Sequence, residues 1–272
     1  MNLLEPARLP APQGFRHLVR LVLVGWGLNL KLRSRSTFDG LLGIVWPLFF
    51  ATTAYFLVRT GHGGQTLVFT AVGSSVLGVW SAVSTSASAA LQHERRLGTL
   101  ELLVAAPAPF AVVVAPIALS MATIGSYALV ATLLYARFVF GVHIPVHDPA
   151  LFGVSLVLTV VSVGMLGFLL SVAMVRYRSG WAVGNALEYP VWLAAGMLVP
   201  LSVLPSWVHP IAWLIGPTWS TEAVRAASLG TSGGWAAAGM CALLAVVYGV
   251  LGAIGARVLV RSARQHAALT LS

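Results

Sequence analysis

The chain has very little charge. Only 8% of its 272 residues are Asp, Glu, Lys or Arg, against about a quarter in an average soluble domain, which excludes an ordinary water-exposed globular protein. Seven acidic side chains face sixteen basic ones, a net charge of +9, so carboxylates for acid–base or metal chemistry are scarce. One cysteine, Cys241, excludes an intramolecular disulfide or a thiolate metal cluster. Lysine occurs once, as Lys31 followed by Leu32. A phosphate loop needs Gly-Lys followed by Ser or Thr, so the chain has no nucleotide-hydrolysing loop of its own. The zinc motif His-Glu-x-x-His fails because Leu97 follows His93-Glu94-Arg95-Arg96. His143, His147 and Asp148 are metal-ligand types, yet Pro145 and Pro149 break any helix that would align them. Neither a catalytic nor a metal site is expected.

What the chain does have is apolar length. Hydrophobic residues make up 58% of it and the mean hydropathy is +0.89. A hydrocarbon core of roughly 30 Å is crossed by about 20 apolar helical residues. Six runs meet that need: Leu41 to Val58, Thr66 to Ala90, Phe110 to Ala136, Ala150 to Val175, Trp181 to Leu201 and Trp235 to Val260. They are continuous and too long for the alternating strands of a barrel, and helices satisfy their own backbone in lipid. The prediction is an all-α integral membrane protein: residues 1–40 as a cytoplasmic N-terminus, 41–260 as a six-helix transmembrane domain, and 261–272 as a tail.

Basic residues fix the orientation, because Lys and Arg are retained on the cytoplasmic side. Thirteen of the sixteen flank the same ends of the runs, leaving only Arg59, Arg137 and Arg225 opposite. Both termini are expected in the cytoplasm, with the chain in the cell's inner or plasma membrane. The positive charge is dispersed over span ends, which suits topology and anionic lipid better than nucleic acid.

From Gly14 to Phe38, Arg16, His17, Arg20, Lys31 and Arg35 fall within an arc of about 100° on a helical projection, and most apolar residues lie opposite. This predicts an amphipathic helix in the cytoplasmic interface. A signal peptide would need a cleavage site after the apolar part, where Lys31-Leu32-Arg33 stands instead. After the fifth run, Pro205, Pro210 and Pro217 alternate with Trp207, Trp213 and Trp219 at a spacing of six. Prolines do not sit within one continuous helix, so a short outer re-entrant hairpin with interfacial indoles is expected. Glu222 and Arg225 on that segment read as a surface ion pair. The second run is rich in Ser and Ala, and Gly249, Gly252 and Gly255 mark the sixth; small residues allow close helix packing in lipid, or a dimer seam.

Between the second and third runs lies a charged stretch, 92–107, too polar to span and too short to fold alone. Gly98 interrupts the helix, Thr99 can cap a new turn, and Glu101 then sits where a helix N-terminus favours negative charge. Leu100, Leu102 and Leu103 give it an apolar face, and Glu94, Arg95 and Arg96 an ionic one. Such a segment suits contact with a cytosolic partner.

Glu94-Arg95-Arg96-Leu97-Gly98-Thr99-Leu100-Glu101-Leu102-Leu103 followed by Pro107 resembles the signature of ABC-2-type exporter permeases. The layout of an amphipathic helix, six spans and a Leu204-Pro205 outer hairpin is similar too. Two departures are Ala115-Pro116, where many relatives carry Gly-Lys, and Gly216-Pro217, where they often carry Asn-Pro. The resemblance implies that Glu94, Arg95, Arg96, Gly98, Thr99 and Glu101 contact an ATPase subunit. It implies two copies of that subunit, which would bind ATP and Mg, and a homodimer or heterodimer of permeases. No cofactor is expected in this chain.

Glu188, inside the fifth run, is an ionisable residue where charge is expensive; with Tyr189 and Trp192 it is a candidate for a substrate pathway. The expected activity is export of a hydrophobic small molecule, such as a drug or antibiotic, or of a lipid-like substrate. The alternatives are export of a polysaccharide or lipid-linked glycan, and a proton-coupled carrier using Glu188.

Overall fold

The computed structural model describes residues 14–34, 45, 47–49, 51–53, 55–56, 64–96, 109–174 and 180–270. Among them are helices and no strands: α1 Phe15–Arg33, α2 Gly64–Arg96, α3 Phe110–Phe138, α4 Pro149–Met174, α5 Gly180–Ala194, α6 His209–Trp213, α7 Gly216–Leu229 and α8 Gly234–Thr270. The all-α expectation is met. Half of the first predicted span, the ends of the N-terminal segment, and the stretch holding Gly98, Thr99 and Glu101 lie outside the described residues.

Among the described residues, four helical stretches are long and apolar enough to cross a membrane: Thr66–Ser84, Phe110–Phe138, Pro149–Met174 and Gly234–Ser262. They fall in four of the six predicted runs. The fifth run is helical only over Gly180–Ala194, 15 residues or roughly 22 Å, and does not reach Leu201. Its stop is local: Gly196 takes φ +69°, a left-handed conformation that glycine adopts without a Cβ penalty and that ends helices. Pro200 then bars its resumption.

α2 is the centre of the bundle. Residues 70–81 are all buried, and 78% of the Thr66–Ser84 window is inside, against 39% for the window in α8. The most enclosed helix is also the one richest in serine, because its neighbours are helices rather than lipid. Two of its hydroxyls return to the helix itself: Ser74 donates to the Thr70 carbonyl at 2.7 Å and Ser75 to the Val72 carbonyl at 2.7 Å. That return bond keeps a buried hydroxyl from being orphaned. Around α2, Val76, Leu77, Val79, Trp80 and Val83 pack with Met121, Ala122 and Leu129 of α3, Val163 of α4, and Ala195 and Met197 beyond α5. The helices nearer the outside expose their largest apolar groups instead, including Tyr127 and Phe138 on α3 and Leu243, Val246, Val250 and Ile254 on α8.

Close packing rests on small residues, as van der Waals contact rather than the hydrophobic effect holds helices together in lipid. A Cβ at Gly125 of α3 would lie 2.9 Å from the Val79 Cα of α2. In α8, Gly252 receives the ring of Phe168 and Gly255 faces Val172, both from α4. The glycine stripe of the sixth run is thus occupied within the chain, and a dimer seam is not needed to explain it.

The N-terminal helix forms over Phe15–Arg33, ending short of Phe38. It rests on α3: Trp26 Nε1 donates to Thr123 Oγ1 at 3.0 Å, and Gly25 lies against Pro116. Arg16, Arg20 and Lys31 are exposed, as are Leu23, Val24, Leu28 and Leu32.

Gly125→Ala is expected to lower stability by about 1–3 kcal/mol, since the backbone of α2 must shift. Gly239→Ala, where a methyl meets nothing within 4 Å, is expected to stay within about 0.5 kcal/mol. Thermal unfolding of the two variants in detergent tests the contrast.

Candidate functional site

α2 carries the charged motif outward. The helix is unbroken from Gly64 to Arg96, so Glu94, Arg95 and Arg96 are its last helical residues, about 15–18 Å along the axis beyond Ser84. α3 resumes at Phe110 after Pro109. Glu94, Arg95 and Arg96 are thus described by backbone alone, as the end of a rod that reaches back through the core.

Glu188 sits on the face of α5 that meets α2. Its side chain is 7% exposed, its Oε1 accepts from Ser81 Oγ at 2.5 Å, and its backbone carbonyl accepts from Trp80 Nε1 at 3.2 Å. Trp192, one turn on, packs against the same core. Tyr189 turns the other way and is half exposed, touching Trp192 edge to face at 6.3 Å between centroids. The three candidate pathway residues therefore do not share one surface: Glu188 and Trp192 face the interior and Tyr189 faces out.

A second charge, Arg225, is buried where its sequence neighbourhood predicts exposure. Arg225 is not half of a surface pair with Glu222. It is 7% exposed and lies on α7, a helix buried among α2, α4 and α8. Its Nη1 donates to the Gly196 carbonyl at 3.0 Å. Its Nη2 donates to the carbonyls of Met197 at 2.7 Å and Phe69 at 3.2 Å. Its Cζ stands 3.2 Å from the centre of the Phe69 ring, a cation–π contact that gains strength away from water. Burial pulls its pKa below the ordinary arginine value, and Glu222 pulls it back up. Gly73 makes the arrangement possible, since any Cβ there would collide with the Met197 carbonyl. One guanidinium thus ties the N-terminal part of α2, the turn that ends α5, and α7. The clue in sequence was a basic residue on the side otherwise nearly free of them.

The remaining polar residues on this side are structural. His147 Nδ1 pairs with the Ser228 carbonyl at 2.8 Å. Asp148 Oδ1 accepts from Leu151 N at 2.9 Å, capping α4, and its Oδ2 accepts from Trp235 Nε1 at 3.2 Å. Tyr248 donates to the Leu214 carbonyl at 2.6 Å and accepts from Gly216 N at 2.8 Å, anchoring the start of α7. The prolines of the outer segment open short helices: Pro210 begins α6 and Pro217 begins α7. Trp207 and Trp213 are exposed. Gly230-Thr231-Ser232-Gly233-Gly234 has the spacing of a nucleophile elbow. That motif needs a strand-to-helix turn, and here it links two helices.

Among the described residues, an all-helical chain with four helices long and apolar enough to cross a membrane has the architecture of a multi-pass membrane protein. The chain belongs to the ABC-2 type transporter family, whose model matches residues 22–229. The match runs from within α1 to the last residue of α7 and includes the Glu94–Leu103 motif, Glu188 and Arg225. Comparison with curated proteins finds no match.

Replacing Arg225 by Met would leave the Gly196 and Met197 carbonyls without their donor. A loss of about 2–5 kcal/mol is expected. Arg225→Lys should recover only part of it, because one ammonium cannot reproduce a planar fork. Thermal unfolding of the full chain in detergent measures both.

Proposed function

We propose that this chain is the permease subunit of an ATP-driven exporter, moving a hydrophobic small molecule or lipid-like substrate out of the cytoplasm or the inner leaflet. Membership of the ABC-2 type transporter family carries the reading. Members of that family normally work with an ATPase subunit, and these 272 residues hold no Gly-Lys-Ser/Thr sequence. Two ATPase subunits, holding ATP and Mg, would act on a homodimer or heterodimer of permeases. The proposed contact is Glu94, Arg95, Arg96, Gly98, Thr99 and Glu101. Because Glu94 to Arg96 end the same helix that fills the core, movement of an ATPase against them would reach the bundle through α2. Drug- or antibiotic-like cargo is favoured over glycan by the short external connections, which leave no room for a carbohydrate-binding domain.

Glu94→Ala and Glu101→Ala are expected to abolish substrate-stimulated ATPase activity of the assembled complex while the permease still inserts and folds. Unchanged stimulation in both variants sinks the coupling role. Co-purification from membranes should bring down an ATPase, one per copy of this chain in a homodimer and two per copy in a heterodimer; recovery of a chain that transports with no ATPase attached ends the exporter reading.

For the pathway, we place Tyr189 at its wall, with Glu188 and Trp192 behind it. Tyr189→Ala should raise KM for transport severalfold and leave basal ATPase activity unchanged. An unaltered KM in a transport assay with reconstituted vesicles removes Tyr189 from the pathway.

A further inference from the structure

A cleft of about 350 Å³ opens between α1, the start of α3 and the C-terminal half of α8, at the lower end of the range of ligand pockets. Leu18 forms one wall, Pro109, Phe110, Ala111 and Val112 a second, and Ala253, Ala256, Arg257, Val260 and Arg261 of α8 the third. No acidic residue is among them. Ala253 and Ala256 lie at the inner end, while Arg257 and Arg261, one helical turn apart on the same face, lie toward the helix terminus. The apolar run of α8 ends at Val260, so both arginines stand at the edge of the hydrocarbon layer. They are exposed, and neither has an ion-pair or hydrogen-bond partner among the described residues. Two unpaired cations above a greasy slot form the complement of one kind of molecule: a phosphate joined to an acyl chain.

We infer that this cleft is a binding site for an anionic phospholipid, with its phosphate between Arg257 and Arg261 and its acyl chain along Leu18, Phe110, Ala253 and Ala256. Basic pockets between membrane helices on the cytoplasmic side have the chemistry to hold such headgroups, and the distribution of Lys and Arg assigns this end to the cytoplasm. α1 closes the slot. Because α1 is held to α3 by Trp26 and Thr123, an occupied cleft would bind α1, α3 and α8 into one unit.

The test uses the full-length chain in neutral detergent, titrated with phosphatidylglycerol, with phosphatidylcholine of the same chains, or with inorganic phosphate, following the unfolding temperature. Phosphatidylglycerol alone is expected to raise it. Arg257→Gln with Arg261→Gln should weaken the apparent affinity about thirtyfold, at about fivefold for each basic residue. Arg257→Lys with Arg261→Lys should retain most of it. Ala253→Trp, which fills the slot and keeps both charges, should also abolish the shift. An equal shift from phosphatidylcholine or inorganic phosphate overturns the proposal, as does an undiminished phosphatidylglycerol response in either the double-Gln or the Ala253→Trp variant.

Discussion

One guanidinium decides how the outer part of this bundle is assembled. Backbone carbonyls freed where a helix ends must find donors, and in an apolar bundle water is not at hand to supply them. α5 ends at Ala194 and leaves the carbonyls of Gly196 and Met197 turned inward. Arg225 donates to both and to Phe69 as well. The burial of a charge, otherwise expensive, is offset by three oxygens and an aromatic face. α7 is then held between α2, α4 and α8, where Ser220 and Thr221 donate to its own Pro217 carbonyl.

The crossing helices were legible because an apolar run longer than about 20 residues has few other uses. The charged motif was legible because ten ordered residue types form a far more specific signal than periodicity. Arg225 was not. Its partners lie 28, 29 and 156 residues away, and local spacing offered Glu222 instead. The early end of α5 is written in Gly196 and Pro200, but a hydropathy window averages over both. The inward turn of Glu188 and Trp192, against the outward turn of Tyr189, follows from helical geometry only after one knows which side α2 occupies.

The serine-rich character of α2 also acquires a cause. In a bundle crossing lipid, the helix facing only other helices does not need the bulkiest apolar side chains. It needs a surface that neighbours can approach closely, with hydroxyls satisfied internally. Gly73, Gly78, Ser74 and Ser75 provide that surface, and the collision that any Cβ at Gly73 would suffer with Met197 shows how little space is left.

α2 has no proline along its 33 residues. A straight helix of that length extends about 25 Å to either side of its middle, so a tilt of about 5° would carry its two tips about 2 Å in opposite directions. A nudge at the Arg96 tip would therefore arrive, inverted, where Phe69 and Gly73 meet the guanidinium. A single rigid beam of this kind would gear the two ends of the bundle in opposite senses.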